Sequence, residues 1–397
     1  MKKVALLCMG LALGAANAAE AQLTMQMSNG WSFTFAGNVN AFMIYSTSKN
    51  AVSSTTTGKD LSFGTGLLPA FAVFDAKGKE ENLDLSVHFG FAPQVETGGH
   101  NASYFGADAA GAQIDMRQVY LTAGGTWGTL TMGKELGLYQ RGNILTDMTL
   151  LGVGVGGGGR GTALGRIGYG YLYTDFRPQL TYTTAGGKAM SLSIGLFEGL
   201  RQGPYTVLEL PRVEAELGYN KKMNDKSSFK FFLNGAVQTA KDGVTGTTNS
   251  LSSTGVGGGA SFDISGFSLL GSGFYAKGMG FLLSGDGIVG GGNFDNLGVD
   301  PAGDGRKSWG FIGQAMYSPP GGKFSVGGSW GQNVLKSTSA DVITTDILKN
   351  RAIVGQFTYK WSKSLRWVAE YGHIDNYTAG TKVGKTDQGS LGMMLFF

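Results

Sequence analysis

Residues 81–91, Glu-Asn-Leu-Asp-Leu-Ser-Val-His-Phe-Gly-Phe, alternate without a break. Leu83, Leu85, Val87, Phe89 and Phe91 share one parity, and Asn82, Asp84, Ser86, His88 and Gly90 share the other. A period of two belongs to a β-strand with one apolar and one polar face. The pattern recurs along the chain. WSFTFAGNVNAF sets Trp31, Phe33, Phe35 and Val39 against Ser32, Thr34, Asn38 and Asn40. Residues 349–361 and 364–375 read as one hairpin about Ser362-Lys363, and the closing GSLGMMLFF places Leu391, Met393, Leu395 and Phe397 on one side. Each such segment needs something apolar against one face and something polar against the other.

Composition decides what those are. Glycine is abundant at 68 residues, charged residues make only 15% of the chain, and there are 8 prolines with no charge run to mark a linker. The start, MKKVALLCMGLALGAANA, has Lys2 and Lys3, an apolar stretch and an Ala-Asn-Ala site, the pattern of a secretory signal peptide. Cleavage is expected after Ala18, or after Ala21. Cys8, the single cysteine, lies inside that segment, so the exported chain is expected to carry no disulfide. Beyond the signal no apolar run has the length of a membrane helix, and a formal charge of +4 is too small to argue for nucleic acid. An exported, thiol-free chain of alternating strands, rich in glycine and aromatics, points to an all-β transmembrane antiparallel barrel. Its apolar face then meets lipid and its polar face a wet lumen.

About sixteen segments near ten residues long fit that plan: 31–46, 67–77, 82–92, 114–124, 128–134, 172–184, 189–198, 211–222, 227–239, 254–265, 267–277, 307–318, 323–333, 349–361, 364–375 and 388–397. Tight Gly, Pro, Asn, Asp, Ser and Lys turns alternate with long connections at 47–66, 93–113, 135–171 and 278–306. Short periplasmic turns and long external loops are expected of such a barrel. The organisation reads as 1–18 signal peptide, 19–30 lead-in and 31–397 a single barrel. LTMQMS at 23–28 is either a further short strand or an unpaired lead-in. Lipid offers no hydrogen bonds, so the last strand must close on the first and carry Phe397 to the membrane boundary.

Three stretches carry a family resemblance. MRQVYLTAGGTWGTLTMGKELG, from Met116, resembles a strand pair of the Gram-negative general porins; NILTDM resembles the start of their constriction loop; LGRIGYGYLYTDFRP is similar to the strand after it. The resemblance implies a homotrimer of sixteen-stranded barrels in outer-membrane lipid, with the third loop, 135–171, folded into the lumen. It implies insertion by the outer-membrane assembly machinery through the C-terminal Phe397. It implies passive diffusion of small hydrophilic solutes and ions through an eyelet where loop acids face wall bases. Carried over residue by residue, Asp147 takes a loop-acid position, Lys134 and Arg166 take wall positions, and Asn38 takes a position that is basic in some relatives. Where a second loop acid is expected the chain reads LLGVGVGGGG, which implies a weaker transverse field or a wider opening.

Competing signals are strings without context. GGSWG at 327–331 fits G-x-S-x-G but lies within a strand rather than at a strand-to-helix elbow. The G-x-G-x-x-G matches at 152–157 and 285–290 open no helix. His88, His100 and His373 form no ligand spacing, and Asp295, Asp300 and Asp304 fit no Ca²⁺-loop pattern. The expectation is a channel that is not an enzyme and needs no cofactor. The alternatives are a substrate-specific channel for an anion or a sugar, and a barrel adhesin working through its long loops.

Overall fold

The computed structural model describes residues 23–50, 57–95, 114–156, 162–187, 189–244, 249–281 and 297–397; the expected signal segment lies outside them. A short strand β1 (Leu23–Gln26) precedes the long β2 (Ser32–Asn50), followed by β3 (Thr57–Gly64), β4 (Phe71–Glu80), β5 (Leu83–Pro93), β6 (Ile114–Gly125) and β7 (Gly128–Leu136). After a long inserted loop come β8 (Phe176–Thr184), β9 (Met190–Phe197), the short β10 (Tyr205–Val207), β11 (Arg212–Asn224), β12 (Ser227–Asp242), β13 (Ser250–Ile264) and β14 (Phe267–Lys277). The chain finishes with β15 (Lys307–Tyr317), β16 (Phe324–Leu335), β17 (Leu348–Lys360), β18 (Leu365–Thr378) and β19 (Thr381–Phe396).

The strands pair antiparallel, each with the next along the wall, and β19 pairs with β2, so the sheet closes. The wall has sixteen strand positions, because three are shared: β3 and β4 lie along one edge of β2 (Lys49↔Thr57 and Ser32↔Lys77), β1 continues β19 along its other edge, and β10 continues β11 along β12. Closure explains the C-terminal phenylalanine. Gly37 and Phe397 exchange both backbone hydrogen bonds, at 2.8 and 3.0 Å, and the Phe397 ring lies 5.2 Å from that of Phe35. β1 then pairs with β2 at Ser32 to Phe35, continuing the edge where β19 stops, so Leu23–Gln26 is a paired strand.

The burial pattern is inverted relative to a soluble protein. On β6, Gln118 and Thr122 are 5% and 7% exposed, whereas Leu121 between them is 50% exposed; its partner Met132 is 58% exposed. More than forty large apolar side chains stand outward in this way. A half-exposed leucine left in water forgoes about 1 kcal/mol, so the outer surface would forgo tens of kcal/mol against a net stability of about 5–15 kcal/mol. Hydrocarbon must cover it. The aromatic pairs Phe35–Phe74, Trp127–Tyr182, Phe267–Tyr317, Phe324–Phe357 and Trp361–Trp367 gather toward the short-turn end, as an interfacial girdle requires. Among the described residues no helix is long and apolar enough to cross a membrane.

The strand segments expected from periodicity agree with the observed ones to within a few residues at most ends. Two differences stand out. Residues 47–66 are not simply a loop, since β2 runs on to Asn50 and β3 returns from Thr57. The strand after the inserted loop begins at Phe176 rather than 172, because Asp175 has φ of 66° and breaks the extended run.

Candidate functional site: a loop bolted across the lumen

The loop between β7 and β8 leaves the wall at Gly137, whose N–H donates to the Asp175 carbonyl at 2.9 Å across the loop's neck. It folds inward, forms a helical turn α1 (Arg141–Leu145) and a 3₁₀ turn over Met148–Leu151, and returns at Asp175. Wall carboxylates hold it. Glu214 of β11 accepts the Leu138 and Tyr139 N–H groups at 2.7 and 2.8 Å. Glu216 accepts the Gly142 N–H at 3.0 Å and pairs with Arg141 at 2.6 Å. On the far side Glu370 of β18 accepts the Val153 and Gly154 N–H groups at 2.7 and 2.8 Å, and its other oxygen accepts from Gln356. These acceptors satisfy backbone donors that would otherwise be buried without partners.

Amides complete the circuit. Asn234 accepts the Gln140 N–H; Gln314 accepts from Met148 and donates to the Thr146 carbonyl; Gln388 donates to the Gly154 carbonyl. The segment between β3 and β4 meets the loop from the opposite wall, with Leu67 and Leu68 donating to Gly152 and Leu150. Glycine makes the fit possible. Gly255 and Gly257 on the inward face of β13 lie where Tyr139 and Gln140 press against the wall, and a Cβ at either would collide with them. Gly154 and Gly165, with φ of +62° and +58°, pack backbone to backbone within the loop.

Of the four residues expected at a pore constriction, Asp147 and Arg166 lie within electrostatic reach of one another but are held by separate partners, and Asn38 and Lys134 are bonded elsewhere. Asp147 is buried: it accepts the Tyr171 hydroxyl at 2.6 Å and the Thr149 N–H and hydroxyl at 2.8 Å each, capping the 3₁₀ turn. Arg166 is fully buried, donating to the Ser329 hydroxyl at 3.0 Å and the Ala352 carbonyl at 2.7 Å. Asn38 is also buried, and donates to the Pro69 carbonyl at 3.1 Å; with Asn40, which holds Leu68 and Gly66, it fixes the β3–β4 segment. Lys134 keeps the parity of Leu130 and Met132, opposite Val119 with no bulge between, and its ammonium reaches the Met116 carbonyl. It therefore lies on the outward side of the rim, because an unbroken ladder cannot change parity.

Sequence reasoning did not single out Glu214, Glu216 and Glu370 as loop holders. A signal existed: an acid on the polar face of a spanning strand is expensive unless it has partners. The inward glycines of TGVGGGA, residues 254–260, were a second.

The wall from β4 to β9 is different. Among the described residues its side-chain hydrogen bonds to the loop lie at the margins, where Arg117 reaches Thr162 and Arg141 reaches Ser193, and at its outer end Phe71, Val73 and Ala92 share an apolar cluster with the loop's Val153 and Ala163. Its inward side chains bond instead to one another: Asp75 with His88 at 2.9 Å, Ser86 with Thr122 at 2.6 Å, and Gln118 with Glu135 at 2.9 Å, while His88 stacks on Tyr120 at 4.5 Å. The Ser329 of GGSWG sits mid-strand on β16 and serves Arg166. Among the described residues no group of three or more His, Cys, Asp or Glu is placed to hold a metal ion. Asp300 instead accepts the Ala302 and Asp304 N–H groups and the Thr338 hydroxyl. Nearby Arg306 clasps Asp341 through both carboxylate oxygens at 2.6 and 3.1 Å. That hydrogen bonding holds the Asp341 carboxyl below its ordinary range, against the opposing effect of partial burial.

A closed sixteen-stranded barrel, apolar outside and polar inside, with one loop fixed across its lumen, defines an outer-membrane channel. Residues 5–379 match the sequence profile of the Gram-negative porins, and the chain belongs to that family. Its fold is similar to the outer-membrane channel DcaP of Acinetobacter baumannii, at 13% identity and a TM-score of 0.66 over 94% of this chain and 99% of that one. It is similar to an anion-selective porin from Comamonas acidovorans, at 15% identity and 0.62 over 92% and 100%. It also resembles in-vitro folded OmpT of Vibrio cholerae in its trimer form, at 12% and 0.51 over 93% and 100%. No curated protein sequence matches it.

Proposed function

We propose that this channel passes small hydrophilic solutes and ions by passive diffusion, without catalysis, along the side of the lumen between the inserted loop and the inward face of β4–β9. The observation that carries this reading is the asymmetry of the loop's anchoring: wall carboxylates and amides from β11 round to β19 grip it, while the polar wall of β4–β9 bonds within itself. Glu135, His88, Asp75 and the Arg141–Glu216 pair border that side. Asp147 and Arg166 act on permeation by holding the loop in place. Because most of the bordering charges are paired, the transverse field is weak and selectivity between cations and anions is mild.

The working unit is a homotrimer, as for the trimer form of the Vibrio cholerae protein, and the C-terminal Phe397 is read by the assembly machinery before it seals against Gly37. Single-channel recording in planar bilayers tests the reading. It expects ohmic steps in groups of three and a small salt-gradient reversal potential that moves when Glu135 is changed to Gln. Saturating flux of one solute would favour a substrate-specific channel instead, and absence of any conductance would favour an adhesin.

A further inference from the structure

Two lone pairs converge on the lumen side of β5 and β6, beside Gly90. His88 and Gly90 point inward from β5, and Tyr120 and Gln118 stand opposite them on β6. The ladder breaks register one step further on, between Gly90 and Phe91, and such bulges re-aim side chains. His88 Nδ1 lies 2.9 Å from Asp75 Oδ1. An ionised carboxylate only accepts, so Nδ1 carries the hydrogen, and the neutral ring turns a bare Nε2 away from Asp75. Stacking on Tyr120 at 4.5 Å fixes the plane of that ring. Gln118 is oriented by a carboxylate too. Its amide nitrogen donates to both oxygens of Glu135, at 2.9 and 3.1 Å, so its Oε1 faces away from Glu135.

The two acceptors border one point. A Cβ built on Gly90 would lie 2.9 Å from Gln118 Oε1 and 3.3 Å from His88 Nε2. His88 is 8% exposed, yet among the described residues its Nε2 has no hydrogen-bond partner. Buried acceptors are ordinarily satisfied. Two nearby cations are already paired, Arg117 with Asp115 at 2.7 Å and Arg141 with Glu216 at 2.6 Å. What suits two converging lone pairs, with the charges of Asp75 and Glu135 behind them, is a metal cation. An imidazole backed by a carboxylate is a strong nitrogen ligand. Nitrogen favours transition ions, whereas Mg²⁺ and Ca²⁺ prefer oxygen.

We propose that His88 Nε2 and Gln118 Oε1 bind a divalent transition-metal ion, of the class of Cu²⁺ or Zn²⁺, over Gly90, with Asp75 and Glu135 positioning the two ligands. Glycine at 90 leaves room for the ion. Two protein ligands, with water completing the coordination, make an exchanging site rather than a structural one, in keeping with the want of any three-residue His, Cys, Asp or Glu group among the described residues. A bound ion would sit on the β4–β9 side of the lumen. Its effect on current rests on the passage proposed above; its binding does not.

The test is electron paramagnetic resonance of Cu²⁺ added to the full-length channel carrying His100→Gln and His373→Gln, which leaves His88 as the one imidazole. The spectrum is expected to show splitting by a single imidazole nitrogen and to withstand excess Mg²⁺, while Zn²⁺ displaces Cu²⁺ with lower affinity. His88→Gln should lose the splitting. Gly90→Ala keeps both ligands but fills the point between them, and should weaken Cu²⁺ binding. Asp75→Asn should keep the splitting and bind about 10- to 100-fold more weakly. Circular dichroism should show the same β-sheet content in every variant. In planar bilayers Cu²⁺ should lower the wild-type current and leave that of His88→Gln unchanged; binding without this effect would support the site and count against the β4–β9 passage. Absence of nitrogen splitting, undiminished Cu²⁺ affinity in Gly90→Ala, or displacement by Mg²⁺ as effective as by Zn²⁺ would overturn the proposal.

Discussion

Replacing Glu370 by Ala isolates the loop's far anchor. Its Oε2 accepts two buried backbone N–H groups, from Val153 and Gly154, and its Oε1 accepts from Gln356. Truncation leaves those donors without their acceptor, at about 1–3 kcal/mol each for a buried unmade bond. Partial rehydration inside a wet lumen lowers the total, so a loss of about 3–5 kcal/mol of anchoring is expected. At ~1.4 kcal/mol per factor of ten, the detached state becomes roughly two to four orders of magnitude more populated. Glu370→Gln is milder. Its amide oxygen can still accept both N–H groups, and flipping the Gln356 amide offers its nitrogen a partner, so mainly the charge assistance is lost. The barrel ladder is untouched in both. The assay is single-channel recording, paired with hydrogen exchange at Val153 and Gly154. Glu370→Ala should show noisy current with added conductance levels and fast exchange; Glu370→Gln should lie close to wild type. Quiet, unaltered current with protected amides in Glu370→Ala would refute the anchoring argument.

Other perturbations follow the same physics. Gly257→Leu puts a side chain where Gln140 and Asn143 meet the wall, so the loop should be displaced, with larger conductance and proteolytic cutting within residues 137–156. Met132→Lys sets a charge on the lipid face at about +2–4 kcal/mol near mid-bilayer, whereas Thr122→Lys points into the lumen. Urea unfolding in vesicles should show a lowered midpoint for the first and little change for the second. The Arg306–Asp341 clasp joins external segments, and its acid has a depressed folded-state pKa. Its contribution is therefore present above the ordinary carboxylate pKa and lost as pH falls through the lower folded value. Pepsin should cut the 336–347 segment of Asp341→Asn at pH 4 but cut wild type only in stronger acid.

The barrel was legible in the sequence because its rule is local. A strand that faces lipid on one side and water on the other must alternate, and Leu83 to Phe91 shows that period without help from any partner. Even the role of Phe397 follows, since a closed ladder leaves no free edge. The site was less legible because it depends on distant pairings. Asp147 and Arg166 are charged residues in the expected loop, and charge in a loop suggests exposure to water. Yet Tyr171 and Thr149 close over the first, and Ser329 and the Ala352 carbonyl close over the second, contacts that in the case of Arg166 span more than 160 residues. Conversely, Glu370 reads in sequence as one polar-face residue among many. Its task appears when the loop's Val153 and Gly154 are brought 217 and 216 residues back to it. Lys134 was placed on the wall by likeness alone, and its parity with Leu130 and Met132 runs on through the unbroken β6–β7 ladder.

The central claim is that water fills the inside of this wall and hydrocarbon covers its outside. With Cys8 as the sole cysteine, and within the expected signal segment, single cysteines can be introduced at 118 through 123 on β6 and labelled in proteoliposomes. Positions 118, 120 and 122 should react with a small charged thiol reagent. Positions 119, 121 and 123 should resist it, and a fluorophore there should be quenched by lipid-borne quenchers. Uniform reactivity across the six positions, or the opposite alternation, would contradict the account.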